Sequence, residues 1–163
     1  MKPLPTGITG FFSGDVPPAR AIAYPKFKQH LYTAAQLSQC IVCSCPNTLL
    51  VENYYRAILE DSDGKFQLLC NFVSAYVAFC QVECESSRGK PGLSGLRDRF
   101  SYLEKPALAS VLQTLFQYTV LLPDDLNQFP EERLLTQLSA VEIDQIECWR
   151  PQTLGTIVFN DWD

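Results

Sequence analysis

The middle of the chain contains three β-prone runs, and they constrain the fold more than any other part of the sequence. Each run is rich in leucine, valine, isoleucine and aromatic residues, and the runs cover residues 49–61, 65–72 and 75–83. These side chains fit the half-buried surface of a pleated sheet. An Asp-Gly pair at 63–64 follows the first run, and such a pair is typical of a tight hairpin turn. We therefore predict a three-stranded antiparallel meander over about residues 49–84.

Helical periodicity precedes and follows the predicted meander. Pro25 suits the first turn of a helix, because its missing N–H is not needed there. Apolar residues then recur with helical spacing as far as about residue 44, and Pro46 ends the pattern. A second helix is predicted to begin at Pro106. Because a small sheet is stable when a helix covers one face, we expect the N-terminal helix to pack on the meander.

The last forty residues predict a series of short helices. Ser139 and Glu142 have the spacing of a capping box, which predicts a helix over about 139–148. Thr153 is placed to cap a final helix over 154–162. A further short helix is predicted over 131–138, with acidic residues at its start, where the helix dipole favours them. The segment 123–130, PDDLNQFP, is predicted to form turns between two helices.

Length and composition indicate one α+β domain. A chain of 163 residues with 47% hydrophobic and 19% charged residues can bury a core of its own. Residues 1–24 are rich in proline and glycine and are predicted to form an irregular arm, docked by Phe11, Phe12 and Tyr24. The segment 85–99 combines glycines with a local basic cluster and is predicted to be a mobile loop.

The charge balance narrows the class of partner. The formal net charge is −5 and the isoelectric point is near 4.9, with no run of basic residues. An acidic chain disfavours nucleic acid and anionic membranes, whereas a basic protein would be attracted. No apolar run reaches the ~18–20 residues that a membrane span needs, and prolines interrupt the first 18 residues, which is unlike a signal peptide. The expected location is the cytoplasm, where an odd number of cysteines stays reduced.

Three of the seven cysteines fall in the segment QCIVCSC, residues 39–45, which raises the question of a metal site. Zinc requires four ligands, and the one set that can be written is Cys40, Cys43, Cys80 and Cys84. The first pair lies in the predicted helix. The second pair lies in a predicted strand, where four-residue spacing separates the thiols by about 13 Å. We therefore expect the cysteines to pack as small apolar side chains, with no cofactor, and keep a cysteine-ligated metal as a weak alternative.

The sequence contains no recognisable catalytic motif. The single histidine, His30, is about 15 Å from Cys40 along the predicted helix, and its neighbours suggest a surface position. An alternative catalytic partner for His30, from another segment of the chain, is Cys70 or Cys148. The acidic residues around 60–63 and 124–125 suit turns better than acid–base pairs. Phosphate-binding, nucleophile-elbow and metalloprotease motifs are missing, so we predict that the protein is not an enzyme.

The C-terminal segment WRPQTLGTIVFNDWD is unusually apolar and aromatic for a chain end. We expect Trp149 and Trp162 to be buried anchors, with an exposed partner-binding patch as the alternative. Two short helices around a break resemble a helix-turn-helix in outline. The second one carries no lysine or arginine and ends in acids, which excludes DNA binding by it.

The same tail, with the preceding SAVEIDQIECW, resembles the closing segment of small bacterial single-domain proteins of unassigned function, some of immunity-protein type from polymorphic or contact-dependent toxin systems. The resemblance covers residues 139–163 and transfers no functional residue. It implies a cytosolic acidic protein that acts by binding, usually by occluding a toxin's active site.

The leading hypothesis is therefore a non-enzymatic protein that binds a basic partner, in the manner of an immunity or regulatory protein. The candidate contact residues are its acidic groups, namely Glu52, Glu60, Asp61, Asp63, Asp124, Asp125, Asp161 and Asp163. The first alternative is a small enzyme or ligand-binding protein with a pocket between sheet and helices. A cleft reaching Cys70, Cys80, Tyr54, Tyr55 or His30 would favour that alternative. The second alternative is the cysteine-ligated metal protein.

Overall fold

The computed structural model describes residues 1–14, 19–47, 52–82 and 100–162, and these form an N-terminal helix, a largely antiparallel sheet and a set of C-terminal helices. The elements in chain order are α1 (Tyr24–Leu37), β1 (Ile41–Ser44), β2 (Tyr54–Asp61), β3 (Gly64–Asn71), β4 (Tyr76–Gln81), β5 (Tyr102–Leu103), α2 (Pro106–Phe116), β6 (Thr119–Val120), α3 (Pro123–Leu126), α4 (Glu132–Leu135), α5 (Ala140–Trp149) and α6 (Leu154–Val158). The predicted α+β single domain is confirmed.

The predicted meander is present as β2, β3 and β4, and it is the centre of a larger sheet. The β2–β3 register runs from Tyr54 opposite Asn71 to Asp61 opposite Gly64. Three more strands extend the meander to a six-stranded sheet of order β1-β2-β3-β4-β5, with the parallel β6 beside the start of β4. The sheet therefore has three strands more than predicted. The outermost predicted positions, 49–51 and 83–84, lie outside the described residues.

The first helix ends seven residues earlier than predicted. Gln39 adopts a left-handed conformation with φ of 59°, and the N–H of Cys40 donates to the carbonyl of Ala35 at 2.8 Å. This is a Schellman ending with glutamine where glycine is usual, so the sequence signal for the stop was weak. The chain then turns into β1, and most of QCIVCSC lies in or beside an edge strand rather than a helix.

The sheet is covered on both faces. One core packs α1 and α2 against the face that carries Tyr55, Ala57 and Leu59. The other core packs the N-terminal arm and the C-terminal helices against the face that carries Tyr54 and Leu69. This two-sided burial explains why the strands read as nearly continuous apolar runs.

The arm and the chain end are held in the second core. Residues 1–14 and 19–23 form no helix or strand, and Leu4 and Ile8 are fully buried. Of the three residues predicted to dock the arm, Phe11 packs against the second core and Tyr24 against the first, whereas Phe12 is 41% exposed. The predicted mobile loop 85–99 lies outside the described residues.

The C-terminal helices follow the sequence prediction in part. The capping box at the start of α5 and the Thr153 cap of α6 are confirmed. However, α6 has five residues instead of nine, and α3 forms inside the segment predicted as a break. Trp162 is buried, whereas Trp149 is half-buried and stacks on it with ring centroids 6.2 Å apart.

Candidate functional site

The hairpin between β2 and β3 gathers three of the predicted contact acids, Glu60, Asp61 and Asp63. Lys105 donates to the carboxylate of Asp61 at 2.7 Å and lies 3.4 Å from that of Asp63. Burial raises the pKa of Asp61, but hydrogen bonds from Lys105 and from backbone N–H groups outweigh it, so the pKa is lowered overall. The Asp63 side chain remains 80% exposed. We call Glu60, Asp61 and Asp63 the acidic hairpin end.

The other predicted acids are not part of this cluster. Asp124 and Asp125 lie in the first turn of α3. Asp161 is exposed beside the buried C-terminal segment, and Asp163 lies outside the described residues. Glu52 lies two residues before β2 and Asp61 is the last residue of that strand. The seven steps along the strand alone span about 23 Å at the usual rise per residue. The eight acids therefore do not form one surface.

An open sheet edge adjoins the acidic hairpin end. In the described part of the chain, β1 pairs with β2 and with no other strand. Ile41, opposite Glu60 in the register, is 67% exposed. The thiol of Cys43 is also exposed and lies 3.7 Å from Oε2 of Glu60. An irregularity in pairing between Val42 and Ser44 shortens the regular edge.

The alternative metal set is not brought together by the fold. Cys80 is fully buried on β4 in the arm-side core, whereas Cys40 packs beside β1 against the other core. Three strand spacings separate β1 from β4, about 14 Å. Cys84 lies outside the described residues, and within the described ranges no three His, Cys, Asp or Glu side chains form a group that could hold a metal ion.

His30 is half-buried rather than on the surface as predicted. Its ring stacks on Phe116 with centroids 4.1 Å apart, and Nδ1 lies 3.2 Å from the hydroxyl of Tyr118. Burial, with a smaller contribution from Lys26, lowers the pKa of His30. Burial also raises the pKa of the Cys70 thiol, which leaves that sulfur protonated and unreactive. The contacts of His30 are those of a packing residue.

A cavity of about 420 Å³ opens between the arm, the start of β2 and the chain end. Its apolar walls are Phe11, Phe12, Phe72 and Trp162, and its charged lining residues are Arg20 and Glu52. We call this the arm cavity. The guanidinium of Arg20 lies over the Phe72 ring, 4.6 Å from the centroid. Burial raises the pKa of the Tyr55 hydroxyl, although the charge of Arg20 acts against that shift, and the hydroxyl donates to the carbonyl of Ile22 at 3.2 Å.

Glu52 is largely neutralised within the protein. One carboxylate oxygen pairs with the guanidinium of Arg56. The other, Oε2, is buried and has no hydrogen-bond partner among the described residues. An unpartnered buried acceptor costs free energy.

Two buried asparagines, Asn53 and Asn160, line the floor of the arm cavity, and Asn71 extends their hydrogen-bond network. The amide Nδ2 atoms of Asn53 and Asn71 each donate to the carbonyls of Ile8 and Val158, at 2.7–3.0 Å. The backbone N–H of Asn160 donates to Oδ1 of Asn53 at 3.0 Å. Gly10 approaches closely here, since a Cβ added to it would lie 3.2 Å from that of Asn53. The network fixes Ile8 of the arm and Val158 near the chain end against the sheet.

A second, smaller cavity of about 220 Å³ lies where β5 and β6 leave the edge of β4, beside α2. Its lining is mostly apolar. None of the five residues named as markers of an enzyme-like cleft lines either cavity. The arm cavity could not be predicted from the sequence because its walls come from chain segments more than a hundred residues apart. The one local signal was Arg20, a basic residue between the apolar segments of the arm.

Comparison of the chain with protein-family models, curated proteins and solved structures gives no match in any of the three. Within the described ranges, no helix has the length and apolar character that crossing a membrane requires.

Proposed function

We propose that this protein acts by binding a basic protein partner in the cytoplasm, in the manner of an immunity or regulatory protein, and that it performs no chemistry on that partner. The observation that supports the proposal is the position of the acidic hairpin end next to the open edge of β1. An extended segment of a partner can add to an exposed sheet edge through backbone hydrogen bonds. Basic side chains on that segment would then face Glu60 and Asp63.

The geometry of β1 limits how the partner can contact it. The strand has four residues and an irregular register, and short or bulged edges are a common protection against uncontrolled pairing. Few backbone hydrogen bonds are therefore available, and charge supplies much of the selectivity. This reasoning predicts submicromolar binding that weakens with salt, since salt screens exposed charges.

The test begins with affinity capture from the organism that carries the gene, followed by calorimetry with the purified recovered protein. The proposal expects a basic protein, bound more weakly at ~300 mM than at ~50 mM salt. The paired change Glu60→Gln and Asp63→Asn should weaken binding about 2- to 30-fold, since each exposed charge pair contributes roughly 0.2–1 kcal/mol.

The matched control is the paired change Asp144→Asn and Glu147→Gln, which removes the same charge from the exposed side of α5. It should leave the affinity unchanged. Recovery of no protein above background, recovery of an acidic partner, or equal affinities for the two paired variants would contradict the proposal.

A further inference from the structure

We propose that the arm cavity is a binding site for a small carboxylate with an aromatic or branched apolar body. This inference does not rest on the basic partner, because it concerns the opposite end of β2 and a ligand of opposite charge. It rests on the charge of the cavity, on the orientation of Arg20 and on the aromatic walls.

The charge of the cavity selects an anion. Of its two charged lining residues, Glu52 is paired with Arg56. Arg20 is exposed and makes no ion pair with the described residues; its guanidinium lies over the Phe72 ring. Among the described lining residues, Arg20 is therefore the charged group without an ion-pair partner. A cation would be repelled by Arg20 and would have to compete with Arg56 for Glu52.

The orientation of Arg20 selects a planar anion. The Phe72 ring, 4.6 Å from the guanidinium carbon, restricts where the guanidinium of Arg20 can lie before a ligand arrives. Arginine presents N–H groups in a fork that matches the two oxygens of a carboxylate. Because the fork is already positioned, less conformational entropy is lost when it binds.

The remaining walls select an apolar body. Phe11 stacks on Trp162 with ring centroids 6.3 Å apart, and Phe12 is partly exposed. The volume of about 420 Å³ is within the range of sites that bind small organic ligands. A ring or branched chain would displace water from these aromatic surfaces, while the polar floor restricts how far it enters.

The test titrates the full chain with three probes of matched shape: 3-phenylpropionate, 3-phenylpropanamide and 3-phenylpropylamine. Tryptophan fluorescence reports occupancy because Trp162 lines the cavity, and calorimetry gives the dissociation constant. The proposal expects the acid to bind with a dissociation constant of about 0.1–3 mM, a usual range for eleven heavy atoms. The amide and the amine should bind at least tenfold more weakly.

Two arginine variants distinguish a specific contact between Arg20 and the carboxylate from nonspecific binding. Arg20→Gln should weaken binding of the acid at least about tenfold, because it removes a charge-assisted hydrogen bond. Arg133→Gln removes another exposed arginine, which pairs with Glu131 and does not line the cavity, and it should have no effect. Should Arg20→Gln fold poorly in a thermal melt, Arg20→Lys keeps the charge without the fork and should weaken binding several-fold.

A peptide ending in phenylalanine presents the same chemistry, so the tripeptide Gly-Gly-Phe and its C-terminal amide form a second arm. Binding of the tripeptide acid in preference to 3-phenylpropionate would assign the site to a peptide C-terminus, and the reverse preference to a free acid. The inference is overturned if the acid and the amide bind with equal affinity, or if the amine binds best. It is also overturned if neither carboxylate binds at a ligand concentration tenfold above the expected dissociation constants, or if Arg20→Gln and Arg133→Gln have the same affinity for the acid.

Discussion

Glu142 is the side chain whose loss should most directly test how the arm is held. Its side chain is completely buried on α5. Oε1 accepts hydrogen bonds from the backbone N–H groups of Gly7 and Thr9 and from the Thr9 hydroxyl, at 3.0–3.3 Å. Oε2 accepts from the backbone N–H and the hydroxyl of Ser139, both at 2.9 Å. One carboxylate thus caps α5 and fixes the arm to it.

The change Glu142→Gln keeps the size of the side chain but replaces one oxygen by an NH₂ group. The smallest loss is at Oε2, where both charge-assisted bonds disappear: the Ser139 N–H then faces an amide donor, and the Ser139 hydroxyl has to turn and accept instead of donate. Hydrogen bonds to a charged group contribute about 1.5–3 kcal/mol each, so we expect the free energy of unfolding to fall by about 3 kcal/mol or more. At this chain length that corresponds to a decrease in Tm of roughly 6–12 °C.

The assay is urea unfolding followed by circular dichroism, with Glu147→Gln as the control. Glu147 is exposed on the same helix, so this variant loses the same charge without losing buried hydrogen bonds, and it should change stability by less than about 0.5 kcal/mol. The change Thr9→Val, alone and combined with Glu142→Gln, then measures the coupling between arm and helix. Equal stabilities for Glu142→Gln and Glu147→Gln would refute the assignment of this carboxylate as the anchor of the arm.

Three further predictions follow from other contacts. Asn71→Ala should destabilise the fold by about 2–3 kcal/mol in urea unfolding, because it leaves the carbonyls of Ile8 and Val158 with one fewer donor each; unchanged stability would contradict the role of this network. Stability should fall as the pH drops below 6.5, the ordinary pKa of histidine, because burial lowers the pKa of His30 and the unfolded chain therefore binds protons first. His30→Gln should remove that part of the pH dependence, and an unaltered pH profile would argue against it. Gly155→Ala should cost about 1–3 kcal/mol, because the added Cβ would lie 2.8 Å from ring carbons of Tyr102; Tyr102→Leu in the same chain should recover part of the loss, and the absence of any recovery would count against this steric cause.

Local signals in the sequence were sufficient to predict an element of the fold where its stabilising contact spans only a few residues. The Asp-Gly turn and the β-prone apolar runs identified the β2–β3–β4 meander, Pro106 marked the first residue of α2, and Ser139 with Glu142 marked the start of α5. In each case the contact joins residues close in the chain or follows the period of one element. The same reasoning failed at the end of α1, because glutamine instead of glycine occupies the left-handed position.

The candidate site depended on contacts that no local pattern reports. Asn53 donates a hydrogen bond to the carbonyl of Val158, 105 positions away in the chain. The arm cavity exists because the asparagine network brings Phe11, Arg20 and Trp162 to one place. Composition and local pattern were enough to predict the fold class, the central strands and the excess of acidic residues. The long-range packing could not be predicted in this way. It places the edge strand β1 beside the acidic hairpin end, and it brings the arm and the chain end together on one face of the sheet, where Arg20 lines an aromatic cavity.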